Sequence, residues 1–169
     1  MDRPDQPLPP GVTLRAIVPD DRAFLTRLYA STREEELAPV PWPREQKDAF
    51  LLMQFHAQHT HYQQHYANAS FDLILQNETP IGRFYVSRTP DDVRIIDISL
   101  IPESRGQGIG STLLHRLQSE ARATGATVSI HVERMNPALR LYDRLGFRLR
   151  EDRGIYLFLD WRAEETVPT

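Results

Sequence analysis

The sequence predicts one mixed α/β domain, with about seven strands in the sheet and helices on both of its faces, and three observations indicate this fold class. The chain has 169 residues with 40% apolar content, which suffices for one buried core and is short for two ordinary domains. Short β-branched runs typical of strands fill residues 71–101, and amphipathic helical segments flank them. We place the domain at residues 11–161, with loose polar arms at residues 1–10 and 162–169.

Composition and charge exclude several classes of function. The net charge is -3 with both signs scattered through the chain, so we expect no nucleic-acid partner. No stretch is long and apolar enough to span a membrane, and the first residues lack the pattern of a signal peptide, so we expect a cytoplasmic protein with no membrane partner. Cysteine is absent, which excludes disulfides and thiol catalysis.

The N-terminal half predicts a strand, two helices and a hairpin ahead of a central strand. Asp20 and Asp21 supply a start for the first helix, and Asn77 begins the turn of the hairpin. The predicted elements are a strand at residues 12–18, a helix that contains Leu25 and Leu28, a helix at residues 44–66, and strands at residues 71–76 and 81–87 joined by a turn at 77–80.

The second of these helices contains four histidines, which raises the question of a metal site. Only His61 and His65 have the i,i+4 spacing that brings two side chains together on one helix face, and no carboxylate lies among the four. A run of glutamine and histidine is more typical of a solvated helix face. We therefore expect no metal.

A run rich in β-branched residues at 94–101 predicts the central strand, which Pro102 ends. Asp97 is the one acidic residue within this run. The alternation places Ile96, Ile98 and Leu100 on one side of the strand and Ile95, Asp97 and Ser99 on the other.

The central strand is followed by glycines at every second position, Gly106, Gly108 and Gly110, and then by an amphipathic helix that ends near Gly125. Helix N-termini present unpaired amides and a favourable dipole, so this segment predicts a site for phosphate or pyrophosphate, although a tight connection explains the glycines equally well. Ser111 stands where a dinucleotide-binding fingerprint needs a third glycine, and no lysine follows Gly110 as a P-loop requires.

A strand at residues 127–132 and a short helix after Asn136 follow. Asn136 is suited to cap that helix and Gly146 to end it. Strands joined through a helix in this way normally run parallel. A last pair of strands at residues 147–151 and 155–160 completes the predicted sheet.

Two of these segments resemble motifs of the GNAT superfamily, the GCN5-related N-acetyltransferases. Arg105, Gly108 and Gly110 match the pattern Arg/Gln-x-x-Gly-x-Gly/Ala of motif A. Motif B is matched by Asn136, Ala138, Tyr142, Gly146 and Phe147. The motifs occur in the family's order, and the resemblance implies a GNAT fold in which the cofactor splits the sheet between strands 94–101 and 127–132.

The resemblance implies a binding site for acetyl-coenzyme A, the acetyl donor of this family. In that family the glycine turn holds the pyrophosphate and the central strand hydrogen-bonds the pantetheine arm. The residues implied here are Leu100, Ile101, Pro102, Arg105, Gly106, Gln107, Gly108, Ile109, Gly110, Ser111, Asn136 and Tyr142.

The resemblance also implies catalytic roles. Tyr142 occupies the family's position for the acid that serves the leaving thiolate, and an ordinary tyrosine pKa of about 10 keeps it protonated at neutral pH; a core aromatic is the alternative. Asp97 is a candidate for the base that deprotonates the acceptor amine, or for a group that binds the amine as ammonium. Glu133 is the rival for the base. A backbone amide near Leu100 is the candidate for polarising the thioester carbonyl.

The expected function is N-acetyl transfer from acetyl-coenzyme A to a primary amine of a small molecule or peptide, by direct attack in a ternary complex. Two alternatives stay open: a GNAT-fold module that binds acyl-coenzyme A without turnover, and another phosphate-binding protein with the same glycine turn. Residues 34–66 would select the acceptor but carry no recognised substrate signature. We expect a monomer or a homodimer.

Overall fold

The structure, a computed structural model, describes residues 7–163, and within this range the predicted α/β fold is confirmed. Of the predicted arms at residues 1–10 and 162–169, residues 1–6 and 164–169 lie outside the described residues. The strands are β1 (Val12–Ala16), β2 (Ser70–Gln76), β3 (Thr79–Arg88), β4 (Asp92–Leu100), β5 (Thr127–Glu133), β6 (Arg148–Asp152) and β7 (Tyr156–Trp161). The α-helices are α1 (Arg22–Leu37), α2 (Arg44–His65), α3 (Ile109–Thr124) and α4 (Leu139–Arg144).

All these strands form one sheet in the order β1-β2-β3-β4-β5-β7-β6. The strands β4 and β5 pair in parallel, and the other neighbours pair in an antiparallel manner. The parallel pair arises because α3 carries the chain from the end of β4 back to the start of β5. The sheet is therefore mixed, as predicted.

Helices cover both faces of the sheet, and each face has its own core. Ile74 of β2 belongs to the larger core, which contains Leu113 and Leu117 of α3. Its neighbours Leu73 and Leu75 belong to the smaller core under α1 and α2. Because adjacent residues of a strand point to opposite faces, α3 lies on one face of the sheet and α1 and α2 lie on the other.

The pairing of β4 with β5 ends halfway along β4. The last paired residues are Ile95 and Ile130. Beyond them, among the described residues, no strand pairs with the β5 side of residues 96–100, while β5 continues to Glu133 beside β7. The two strands thus open at the end from which the glycine turn leaves β4, which is where the predicted fold places its split.

A β-bulge in β4 marks the same place. Asp97 pairs with Tyr85 and Ile95 pairs with Val86, so Ile96 is an extra residue without a partner in β3. The bulge inverts the alternation of side chains. The predicted side of the strand is therefore wrong for Ile95, which lies in the larger core on the same face as Ile98 and Leu100 rather than with Asp97 and Ser99.

Two local boundaries also differ from the prediction. The hairpin turn is two residues, Asn77 and Glu78, with φ of 49° and 71°, so β3 begins before Pro80 instead of after it. Pro80 is accommodated because it lies at a second bulge. The helix after Asn136 begins only at Leu139, two residues later than a cap at Asn136 implies.

The histidines of α2 do not form a cluster of ligands. The rings of His61 and His65 stack with centroids 4.0 Å apart, and the Nδ1 atom of His65 lies 3.0 Å from the carbonyl oxygen of His61. Within residues 7–163, no three histidine, aspartate or glutamate side chains come together as metal ligands. In the same range, no helix combines the length and the apolar character that crossing a membrane requires.

Candidate active site

The glycine turn between β4 and α3 leaves its backbone accessible. Gly106 and Gly108 have φ of 74° and 84°, in the left-handed region that favours glycine. A Cβ atom at either position would meet nothing within 4 Å. Gly110 differs, since it lies inside α3, where a Cβ would be in ordinary contact with Leu141 at 3.9 Å. Open space therefore faces the turn at Gly106 and Gly108.

The helix α3 begins at this turn with amides that have no partner inside the helix. Thr112 donates the first helical hydrogen bond, from its amide to the carbonyl oxygen of Gly108 at 3.0 Å. The amides of Ile109, Gly110 and Ser111 precede it and have no intrahelical acceptor. They lie at the positive end of a helix of 16 residues. This arrangement fits a phosphate or pyrophosphate group.

Two of the residues that the motif implicates brace the turn. The Nε atom of Arg105 donates to the carbonyl oxygen of Leu100 at 3.0 Å. The Nε2 atom of Gln107 donates to the carbonyl oxygen of Glu103 at 3.1 Å. These bonds tie the turn to the end of β4 and hold its shape without a ligand.

The open edge of β4 offers backbone groups to an extended ligand. Within residues 7–163, no strand pairs with residues 96–100 on their β5 side, so an amide-bearing chain such as pantetheine can satisfy that edge as a short extra strand. The usable edge ends at Leu100. The amide of Ile101 already donates to the carbonyl oxygen of Ile81 at 2.8 Å, and Pro102 has no N–H and begins a 3₁₀ turn.

Tyr142 lies on α4 with its ring buried in the larger core. The ring packs edge-to-face on Phe147, with centroids 5.5 Å apart. No residue in the range 7–163 forms a hydrogen bond with its hydroxyl group. Burial, and then the charge of Asp97, raise the pKa of Tyr142 far above its ordinary value. The hydroxyl group therefore stays protonated and is available as a donor.

Asn136 positions α4 through its own side chain. The Oδ1 atom accepts a hydrogen bond from the amide of Ala138 at 2.8 Å. The carbonyl oxygen of Ala138 in turn accepts the amide of Tyr142 at 3.1 Å. Asn136 thus fixes the turn that leads to Tyr142, and its predicted contact with the cofactor stays a prediction.

Asp97 is the centre of a polar network. Arg83 of β3 forms an ion pair with Asp97, and the two side chains are 4% and 23% exposed. Gln58 of α2 accepts a hydrogen bond from Arg83 at 2.8 Å. The Oγ atom of Ser99 lies 3.1 Å from each carboxylate oxygen of Asp97. A buried cation therefore holds Asp97 on one side and a hydroxyl group holds it on the other.

Glu133 is also engaged by an arginine. The Nη1 atom of Arg33, from α1, lies 2.7 Å from Glu133 and 3.1 Å from Glu36. The guanidinium group packs over the ring of Tyr29 at 5.4 Å. Burial is the largest single influence and works to lower the pKa of Arg33, but the hydrogen bond to Glu133 and the charges of the nearby acidic groups together outweigh it, so the pKa lies above its ordinary value. Both candidate bases are therefore in ion pairs.

Tyrosines from two elements lie near the open end of the strands. Burial, and then the charge of Asp97, raise the pKa of Tyr62 on α2, and Tyr156 is close enough to add to this effect. The ring of Tyr62 packs edge-to-face on Tyr85 at 6.2 Å. Tyr156 pairs with Glu133 across β5 and β7. The side of the opening that faces α1 and α2 is thus aromatic as well as charged.

The polar residues of this site to which the sequence prediction gave no role include Arg33, Gln58, Arg83 and Ser99. Arg33 reaches Glu133 across 100 positions of the chain and Arg83 reaches Asp97 across 14. No local pattern signals contacts at such separations. Ser99 had a usable signal, because it follows Asp97 by two positions and so shares its face of the strand.

Comparisons with known proteins agree with this fold. The model of the Acetyltransferase (GNAT) family matches residues 25–147. No curated protein matches the chain. Among solved structures, the PaiA N-acetyltransferase from Thermoplasma acidophilum in complex with coenzyme A has a TM-score of 0.68 at 16% identity, over 89% of this chain and 98% of that one.

Two other similar structures contain a coenzyme A derivative. Arabidopsis thaliana Naa50 in complex with the bisubstrate analogue CoA-Ac-MVNAL has a TM-score of 0.59 at 17% identity, over 89% of this chain and 98% of that one. A GNAT family acetyltransferase from Elizabethkingia anophelis with acetyl-CoA bound has a TM-score of 0.55 at 18% identity, over 91% and 99% of the two chains.

At these identities the similar structures establish the fold alone. The family match has a wider consequence, because it spans more than half of the chain and includes both the glycine turn and Tyr142. The chain therefore belongs to the GNAT family of acetyltransferases.

Proposed function

We propose that this protein transfers the acetyl group of acetyl-coenzyme A to a primary amine, by direct attack in a ternary complex. The observation that carries the proposal is the opening between β4 and β5, with unpaired backbone groups on one edge and the start of α3 at its end. This opening suits a long thioester that enters between the strands. The family to which the chain belongs supports the same reaction.

The acetyl-coenzyme A molecule would lie along β4 and end at the glycine turn. Its pyrophosphate would be bound by the amides of Ile109, Gly110 and Ser111, which combine unpaired donors with a favourable dipole. Its pantetheine amides would bond to the open edge at residues 96–100. The same edge would present an amide near Leu100 to the thioester carbonyl oxygen.

The reaction forms one bond and breaks one. The amine nitrogen attacks the thioester carbon, a C–N bond forms, and the C–S bond breaks to release the thiolate of coenzyme A. Tyr142 would serve the sulfur. Because burial raises its pKa far above the thiol value of about 8.5, complete proton transfer to sulfur is uphill, and we assign Tyr142 chiefly as a hydrogen-bond donor to the developing thiolate.

The nitrogen must lose a proton, since an alkylamine has a pKa of about 10 and only its neutral form attacks. Asp97 and Glu133 are the candidates to accept it. Each is paired with an arginine, and protonating a carboxylate in such a pair leaves the arginine without its counter-charge. We therefore expect ordered water or bulk solvent to be the final acceptor, with the carboxylates orienting the amine.

A second function is favoured by the same ion pairs. If neither carboxylate assists the amine, the protein acts as a module that binds acyl-coenzyme A without turnover. The two functions predict different outcomes for thiol release. A transferase releases free coenzyme A thiol when a suitable amine is added, whereas a binding module does not.

The first experiment is a thiol-release screen with acetyl-coenzyme A and a panel of amines. The panel contains polyamines, amino acids, aminoglycosides and peptides with free N-termini; the peptides are included because the similar Naa50 structure holds a bisubstrate analogue. Amine-dependent release supports the transferase. Saturable binding of acetyl-coenzyme A with no release above the spontaneous rate for any amine would establish the binding module instead.

A second experiment tests where the coenzyme binds. Acetyl-coenzyme A should raise the melting temperature by linkage, whereas acetyl-pantetheine, which lacks the pyrophosphate, should raise it much less at the same concentration. Equal shifts from the two ligands would rule out the glycine turn as a pyrophosphate site.

A further inference from the structure

The network around Asp97 gives Ser99 a function that neither sequence motif contains. We propose that Ser99, oriented by Asp97, forms the subsite that receives the acceptor nitrogen, and that this subsite takes a primary ammonium or amine as an N–H donor. The proposal rests on the transferase function proposed above and adds the position at which the acceptor is held.

The hydrogen bond between Ser99 and Asp97 has only one possible direction. Asp97 is ion-paired with Arg83, so its carboxylate is charged and can only accept hydrogen bonds. The Oγ atom of Ser99 lies 3.1 Å from both of its oxygens, so the serine hydroxyl is the donor. Its single O–H is thereby used, and the Oγ atom presents only lone pairs to the site. A group that binds there must be a donor.

Asp97, which orients the hydroxyl group of Ser99, is itself held in place by Arg83. Arg83 is almost wholly buried and cannot lose its proton, so it keeps Asp97 charged and in place. Gln58 accepts a hydrogen bond from the same guanidinium at 2.8 Å, and the ring of Tyr85 lies 4.9 Å below it. Because Arg83 offsets the charge of Asp97, the site offers a fixed hydroxyl acceptor, to which an ammonium donates a stronger, charge-assisted hydrogen bond than a neutral donor does.

The position of Ser99 matches that role. It lies on β4 beyond Ile95, where β5 has left the strand, and its side is the face of Arg83 and Tyr62 rather than the larger core. The charge of Asp97, which orients Ser99, also raises the pKa of Tyr62 and of Tyr142.

A second serine on the same face shows what Ser99 would do in a purely structural role. The Oγ atom of Ser129 on β5 donates to Asp92 at 2.7 Å, and it also accepts a hydrogen bond from the Nε atom of Arg94 at 2.7 Å. Its lone pairs are therefore used inside the protein. Ser99 has no such donor within residues 7–163, so its lone pairs are available to a ligand.

The test uses Ser99→Ala, with Ser99→Thr to restore the hydroxyl group and Ser129→Ala as the matched loss of an aspartate–serine hydrogen bond. With the amine that releases thiol fastest, Ser99→Ala should raise KM for the amine by about tenfold to a hundredfold, the range expected for losing one hydrogen bond to a charged group. KM for acetyl-coenzyme A should not change. Ser99→Thr should recover most of the loss, and Ser129→Ala should leave KM for the amine unchanged.

A binding measurement separates this proposal from the transferase function. Propylammonium chloride is titrated into the protein saturated with coenzyme A, and binding is followed by ligand-observed NMR with propanol as the neutral probe. Binding of propylammonium that Ser99→Ala abolishes and Ser129→Ala keeps supports the subsite, even if no amine releases thiol. Thiol release with an unchanged KM for the amine in Ser99→Ala would overturn the subsite while the transferase function stands. A rise in KM for the amine in Ser129→Ala as large as that in Ser99→Ala would do the same. A wild-type protein that neither binds propylammonium nor releases thiol would overturn both.

Discussion

The strands β4 and β5 have two ends that carry similar side chains and use them differently. At the end where the strands are paired, Asp92 of β4 accepts hydrogen bonds from Thr127 and Ser129 of β5, each at 2.7 Å. The aspartate therefore ties the two strands together. Both serine and threonine are used by that link, and backbone pairing runs beside it from Asp92 to Ile95.

At the open end the aspartate of β4 is Asp97, and its side chain bonds away from β5. Asp97 pairs with Arg83 of β3 and with Ser99 of its own strand, and none of these bonds reaches β5. The bulge at Ile96 lies between the two arrangements. The difference teaches that the opening is built by redirecting polar side chains as well as by ending the backbone ladder, so each end can be changed without the other.

The largest expected effect is a loss of turnover, caused by a substitution at the open end of the strands. Tyr142→Phe removes the hydroxyl group assigned to the thiolate, so single-turnover acetyl transfer should fall by about 10²- to 10⁴-fold, with little change in the affinity for acetyl-coenzyme A. Stability in denaturant should barely change, because that hydroxyl has no partner among residues 7–163.

Tyr85→Phe is the control for this change. The hydroxyl group of Tyr85 is buried without a hydrogen-bond partner in the described part of the chain, and it has no assigned role at sulfur. Its removal should leave transfer nearly unchanged. A folded Tyr142→Phe protein with near wild-type transfer would end the assignment of Tyr142.

The next effect concerns the affinity of the glycine turn. Gly108→Ala places a methyl group on the side that faces open space, where the pyrophosphate is proposed to approach. Loss of one hydrogen bond to a charged group costs about 1.5–3 kcal/mol, which corresponds to roughly tenfold to a hundredfold in the dissociation constant for coenzyme A. Calorimetric titration of coenzyme A into wild type and variant measures this change in the dissociation constant.

Gly125→Ala is a matched control for backbone strain. Gly125 lies at the opposite end of α3 with φ of 75°, close to the 84° of Gly108, and a Cβ there also meets nothing within 4 Å. Each substitution should cost about 1–2 kcal/mol of stability from the left-handed conformation. Only Gly108→Ala should weaken coenzyme binding. Equal affinities in the two variants would show that Gly108 serves the turn alone.

The sequence was sufficient for the parts of this site that are local. Strand, glycine turn and helix follow one another within residues 92–124, so the order of these elements could be predicted from local patterns. The place of the opening and the role of Tyr142 were implied by the resemblance to the GNAT motifs instead. The ion pairs of Asp97 and Glu133 could not be predicted, because Arg83 and Arg33 reach them only through the folded sheet. The face of β4 on which Ile95 lies could not be predicted either, since a bulge has no signature in an alternating run of residues.

A smaller effect is expected at the paired end. Asp92→Ala removes the acceptor of Thr127 and of the buried Ser129, so the free energy of unfolding should fall by about 1–3 kcal/mol. Coenzyme affinity and KM for the amine should be unchanged, because the open end has its own polar network. Denaturant unfolding together with the kinetic assay measures both. A changed KM for the amine in this variant would show that the two ends are coupled.

The smallest effect is a pH dependence of stability at His131, which lies on β5 between the two ends. Its ring nitrogens lie 3.3 Å from Arg94 and 3.2 Å from Arg153. Burial, and then these two arginines, lower the pKa of His131, although Glu151 acts in the opposite direction. The folded protein therefore takes up this proton at a lower pH than the unfolded chain does.

The sign of this pH dependence follows from the lower pKa of His131 in the folded protein. The contribution of His131 to stability is fully present above the unfolded pKa of about 6.5 and is lost as the pH falls from there through the lowered folded value. The slope for one histidine cannot exceed about 1.4 kcal/mol per pH unit, and partial exposure of the ring makes it smaller. In unfolding curves measured between pH 5 and 7, His131→Asn should flatten this dependence in part, because burial also lowers the pKa of His59, which stays in the variant. If the slopes of wild type and variant coincide, His131 does not respond to pH at the point where the strands part.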